Sequence, residues 1–224
     1  MQLSGGETDS RREGLLILAN TERKDLRVSR IALVSGNFAD RSIRSLTAEA
    51  HRRLDQTLGS LNLSDASDYQ DFLAVMARGF AAAEGWLADH WRLAPEDSIF
   101  IRRGDLARQD LVALGGDASA AVSWQAEIQL AVTAAPGSAE VLGVIYTLEG
   151  SRMGAQFLRR QLPTDGPRSF LDDPRHIIEF PRLRRVLQGL GDHDTAKAAG
   201  SALAVFGLFQ KIADTLPRVE GNNG

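Results

Sequence analysis

Residues 141–162 read VLGVIYTLEGSRMGAQFLRRQL. The apolar spacing and length predict a helix. That helix carries three glycines, Gly143, Gly150 and Gly154. At about 100° per residue they fall within about 40° of each other on one face, with Thr147 on the same stripe and Ser151 beside it. An interior glycine costs a helix about 1 kcal/mol relative to alanine, so about 3 kcal/mol of propensity is given up along one line. Something has to come close to this backbone. A neighbouring helix packed tightly is the commoner answer; a flat ligand laid on the main chain is the sharper one.

The rest of the chain narrows the choice. It has 224 residues, 43% apolar and 25% charged, with a net charge of −3. Such a chain suffices for one globular domain and gives no reason to expect nucleic acid as the main partner. There is no cysteine. That removes disulfides, thiolate catalysis, iron–sulfur clusters and cysteine-ligated haem, and leaves His51, His90, His176 and His193 as soft-metal ligands. No apolar run is long enough to span a membrane. Leu15–Ala19 is too short for a signal peptide and is followed by charge, so a cytoplasmic location is expected. There is no phosphate-binding loop and no nucleophile elbow.

Downstream of residue 40 the pattern is helical throughout, and no segment alternates convincingly with period two. A helix is expected over Ile43–Leu58, capped by Ser42 and ended by Gly59. Others are expected over Tyr69–Trp91, opened by Ser67 or Asp68 and bent at Gly79 and Gly85, and over Ile101–Leu114, stopped by Gly115 and Gly116. Further helices are expected over Ser123–Val132, Glu179–Gln188 and Thr195–Leu216. Trp86, Trp91 and Trp124 are expected in the core. The fold class is all-α: a single-domain multi-helix bundle over residues 40–217, with 1–39 an N-terminal extension or a start assigned too early, and 218–224 a disordered tail.

On the first of these helices His51 sits at the rim of the apolar stripe, about 60° from Leu54 and about 20° from Leu58, with Asp55 one turn on. Two readings fit: an ordinary i,i+4 contact, or a metal ligand whose second ring nitrogen donates to the carboxylate.

Both stretches resemble bacterial haem oxygenases. GVIYTLEGSRMGAQ is similar to that family's distal-helix motif, matching at Gly143, Tyr146, Glu149, Gly150, Ser151 and Gly154 and departing at Ala155, where the family usually has a second glycine. RSLTAEAHRRLD resembles the proximal-helix motif, with matches at Ile43, Arg44, Thr47, His51, Leu54 and Asp55. The order and separation are the family's, and IRRGDLARQDLVALGG adds a third likeness.

The resemblance implies a haem oxygenase-like bundle that cleaves haem to biliverdin, carbon monoxide and ferrous iron, with haem as both cofactor and substrate. It implies His51 as the axial iron ligand and Asp55 as the acceptor for its other ring nitrogen. Arg44 and Thr47 would lie beside the haem, Arg44 toward a propionate, with Arg184 or Arg185 as further propionate partners. Gly150, Ser151 and Gly154 would form the catalytic distal face, flanked by Gly143, Tyr146 and Ala155, where the extra methyl is expected to crowd the ring. Ser151 would anchor the water chain that delivers protons. Electrons would come from an external reductant such as a ferredoxin or a reductase. The E-G-S form of the motif implies supply of biliverdin to a phytochrome photoreceptor. The alternatives are a non-catalytic haem-binding or regulatory protein on the same scaffold and a plain helical interaction module; a thiaminase-like enzyme would need a cysteine nucleophile. Removing residues 1–38 is expected to leave turnover intact, measured as biliverdin formation; collapse would give the extension a role.

Overall fold

The glycine-striped segment is helical, and the helix laid against it organises the rest. A computed structural model describes residues 38–96, 98–117, 127–129, 131–163, 165–173 and 176–216. The readings placed on residues 1–37, Trp124, most of Ser123–Val132 and the 218–224 tail lie outside the described residues. Every described element is helical: α1 Phe38–Gly59, α2 Ala66–His90 with a 3-10 turn Trp91–Leu93, α3 Gly104–Ala113, α4 Ser138–Leu158 with a 3-10 turn Arg159–Gln161, the short α5 Ser169–Asp172, α6 His176–Gln188 and α7 Asp192–Ala213. Residues 127–129 and 131–132 are helical as well. All of them belong to one compact unit.

The ends follow local chemistry. α1 starts at Phe38 and contains Ser42, rather than starting after it; no glycine or proline interrupts the sequence between Phe38 and Ser42. α2 is capped by Asp65, whose Oδ1 accepts from the Ser67 and Asp68 amides at 2.9 and 3.2 Å, ahead of both expected caps, Ser67 and Asp68. Gly115 ends α3 with φ of 80°, and the Gly116 amide donates to the Leu111 carbonyl at 3.0 Å. α4 opens at Gly137, whose amide donates to Glu140 Oε2 at 2.9 Å.

α7 is the central strut and packs on α1, α2 and α4. Its Phe209 meets Phe80 of α2 edge to face at 5.7 Å, and Trp86 of α2 is fully buried. Gly79 lies within the continuous α2, where an added Cβ would overlap the Phe209 ring. Trp91 is not a core aromatic: it is 40% exposed, because α2 ends before it and the 3-10 turn carries it outward. α1 and α4 each pack on α7 rather than on each other, and α6 touches both. Among the described residues no helix is long and apolar enough to cross a membrane.

The tightest seam is between α4 and α7. A Cβ at Gly143 would overlap the Ala198 carbonyl oxygen, a backbone atom that can retreat only if α7 shifts. Gly143→Ala is therefore expected to lower stability by about 1–3 kcal/mol. Gly154→Ala, where nothing lies within 4 Å, is expected to raise it by up to about 1 kcal/mol. Urea unfolding of the two variants reads this difference; equal effects would remove the distinction between the two positions.

Candidate functional site

The glycine stripe of α4 divides into two parts. Gly143 is clamped on α7, and one turn on Thr147 is buried there too, its hydroxyl donating back to the Gly143 carbonyl at 3.2 Å. This half is helix packing. Beyond it the stripe opens. A Cβ on Gly150 would meet only the Phe180 ring of α6, at 3.9 Å, an ordinary contact, and one on Gly154 would meet nothing. Tyr146 is half-buried with its ring 6.4 Å from that of Phe180. Met153 and Phe157 are 40% and 47% exposed. By helical spacing Tyr146, Gly150, Met153, Gly154 and Phe157 share an arc of about 100°. The second half of α4 is thus an exposed apolar face with bare main chain in it, and no helix of the described fold needs those glycines for packing.

Across α7, on α1, His51 has a half-exposed side chain. Its Nδ1 lies 2.9 Å from Asp55 Oδ2. With the Nδ1 proton donated to that carboxylate, Nε2 keeps its lone pair, which is the tautomer a metal requires. Phe206 of α7 meets the imidazole edge to face at 5.4 Å. Arg44 is half-buried and lies about 20° from His51 around α1. Thr47 is buried, and its hydroxyl donates to the Ile43 carbonyl at 2.9 Å, so it serves its own helix. On α6 Arg184 is half-buried and Arg185 exposed. Among the described residues no group of three or more His, Cys, Asp or Glu is placed to hold a metal ion. His90 stacks on Trp86 at 4.3 Å with Nδ1 2.8 Å from the Trp86 carbonyl, a structural role at the end of α2.

The other side of α4 holds a charge cluster that the sequence reading did not assemble. Glu149 and Arg152 are buried. Their Nε–Oε2 distance is 2.6 Å, and Arg152 also reaches Asp173 Oδ2 at 3.0 Å and the Ile101 carbonyl at 2.6 Å. Burial pushes the Glu149 carboxyl up, against the pull of Arg152. Arg103, the N-cap residue of α3, is 2% exposed. Its guanidinium lies 4.2 Å from the Phe170 ring centre and 5.3 Å from that of Phe80. Its Nη2 donates to the Phe170 carbonyl at 3.1 Å and its Nη1 to Ser151 Oγ at 3.3 Å. Burial, then the like charge of Arg152, disfavour its charged form. The i,i+3 spacing of Glu149 and Arg152 was visible in sequence; Arg103 and Asp173 come from distant segments and carried no local signal.

Two expectations about the motif change. The Ser151 hydroxyl donates to the Leu148 carbonyl at 2.7 Å. A hydroxyl has one proton, so Ser151 offers only an acceptor lone pair on that flank. Ala155 is 7% exposed and part of the core. It stands about 100° round the helix from Gly154, so its methyl does not crowd the open face. Gly143 packs against α7, and Thr47 makes a helix-internal bond.

No family model matches the chain, and no curated protein matches it either. The resemblance to haem oxygenases therefore rests on the sequence motifs alone.

Glu84 holds the start of α3 in place: its Oε1 accepts from the Arg103 and Gly104 amides at 2.6 and 3.0 Å. This is why the helix begins at Gly104 and not at Ile101. Burial pushes the Glu84 carboxyl up, outweighing those two bonds and Arg102. A carboxyl raised on folding binds its proton more tightly in the native state. Its contribution is present at acid pH, below the unfolded value, and is lost as pH rises through the folded one. Glu84→Gln keeps an acceptor and does not titrate. Its urea midpoint is expected to fall less than that of the unsubstituted protein as pH rises from about 4 to 7; parallel curves would refute the assignment.

Proposed function

We propose that this chain is a haem oxygenase that cleaves haem, with dioxygen and external electrons, to biliverdin, carbon monoxide and ferrous iron. The observation that carries the reading is the split stripe. Gly143 has a packing reason; Gly150 and Gly154 have none within the described fold, and they sit on an exposed apolar face beside Met153 and Phe157. A flat macrocycle is a ligand that needs bare main chain on one side. On α1, His51 would supply the imidazole for the other side of such a ring, its Nδ1 held 2.9 Å from Asp55 Oδ2 and its Nε2 the nitrogen that would bind.

Side chains of the chemistry a haem would need are present on α1, α4 and α6. His51 would hold the iron and Asp55 would fix the imidazole tautomer and orientation. Arg44 and, from α6, Arg184 or Arg185 would meet the propionates with charge-assisted hydrogen bonds. Gly150 and Gly154 would let the ring and a small ligand approach the α4 backbone, and Phe206 would limit rotation of the imidazole. Bound haem would supply the oxygen chemistry, its course set by distal polarity and access. Ser151 would orient water as an acceptor, since its proton is engaged by Leu148. The chain has no cysteine, so it has no ligands for an iron–sulfur cluster and electrons would enter from a separate donor. A cytoplasmic setting and delivery of biliverdin to a phytochrome belong to this proposal.

A non-catalytic haem-binding protein is the second reading. It is motivated by the methyl of Ala155 and by the N-terminal extension; the burial of Ala155 weakens the first of these, and the second lies outside the described residues.

Mixing the purified protein with hemin is expected to give a Soret band, and adding ascorbate or a reductase system is expected to convert it to biliverdin absorbance. A Soret band that persists would leave the non-catalytic reading, and no band would end both. His51→Ala is expected to change the ferric spectrum with an unchanged melting curve. Gly154→Leu, which gains helix propensity and projects into open space, is expected to weaken hemin binding by at least about tenfold, about 1.4 kcal/mol, without loss of stability. Unaltered hemin affinity in Gly154→Leu would place the haem elsewhere.

A further inference from the structure

Arg103 is a cation in an unusual place. It is 2% exposed, yet among the described residues no carboxylate pairs with it directly. Its partners are a carbonyl, a hydroxyl and two aromatic faces. Arg152, buried nearby, has two carboxylates, Glu149 and Asp173. Those two and Glu84 lie close enough to favour the charge on Arg103 without neutralising it by contact. A buried charge without a counter-ion is costly unless hydrogen bonds or cation–π contacts offset it. Here they fix the guanidinium firmly, and its one link toward solvent is Nη1 to Ser151 Oγ. Ser151 is exposed and adjoins Gly150 on the flank of the open α4 face.

We infer that Arg103 is a positioning residue of the proposed haem face. It ties down the Ser151 hydroxyl and places an unpaired positive charge beneath that flank, so that an anionic ligand is favoured over a neutral one at the iron's open position. The inference rests on the haem reading above. The field of a charge in partly buried surroundings is screened little over a few ångströms, whereas a neutral ligand of similar size does not sense it. The hydrogen bonds point the same way: Arg103 donates to Ser151, and Ser151 donates to Leu148, so the chain of donors starts at a fixed positive end.

The test compares azide binding to the ferric haem complex with carbon monoxide binding to the ferrous complex, both by optical titration. Arg103→Met is expected to weaken azide by at least about tenfold and to leave carbon monoxide affinity within about twofold. Arg103→Lys, which keeps the charge and loses the planar fork, is expected to recover most of the azide affinity. If Arg103→Met does not melt cooperatively, Arg103→Gln, which keeps a donor, takes its place. Unchanged azide affinity would overturn the inference while leaving haem binding intact. So would azide and carbon monoxide affinities falling together, the mark of a purely structural role. Absence of a Soret band with the unsubstituted protein would overturn the haem reading and this inference together.

Discussion

The close approach of the α4 main chain to α7 at Gly143 and Ala198 is the contact from which the architecture follows. With no side chain between the two backbones, α4 is seated on the central strut at its N-terminal half. α1 is laid on the same strut, and α6 touches both flanking helices. One helix therefore sets the relation between the imidazole on α1 and the bare stretch of α4. A methyl group at residue 143 would act on that relation although it touches neither.

Charge on the reverse of α4 does a second job. Glu149, Arg152 and Asp173 are buried together, joined to the Ile101 carbonyl, and Arg103 crosses to Ser151 and Phe170. Burying so many charges contributes little net stability, and removing one member leaves its partners uncompensated. What the network contributes is specificity of placement. It fixes the rotation of α4 about its own axis, because the glycines lie on one side and the ion pairs on the other. The same side chains that look like motif residues for chemistry, Glu149 above all, act here by holding the helix.

How much could be read beforehand is visible in single residues. Helical periodicity and breakers placed nearly every helix to within a few residues, since these are local properties: Gly115 ends α3 because a positive φ is needed there, and α4 covers the expected segment up to Leu158, where a 3-10 turn replaces its last residues. The beginnings of α1 and α3 were missed for opposite reasons. Nothing local stops α1 from running back to Phe38, while α3 is delayed by Glu84, which reaches its amides from α2.

Legible in the amino-acid order alone were a helical pattern downstream of residue 40, a stripe of glycines that something must approach, and an imidazole one turn from a carboxylate. Each depends only on spacing along one helix. Packing between helices settles which glycines are occupied by protein and which are open, turns Ala155 inward, and sets Arg103 beneath Ser151. Those facts depend on which distant backbone lies within a few ångströms of a given position, and no periodicity within a single helix carries that information.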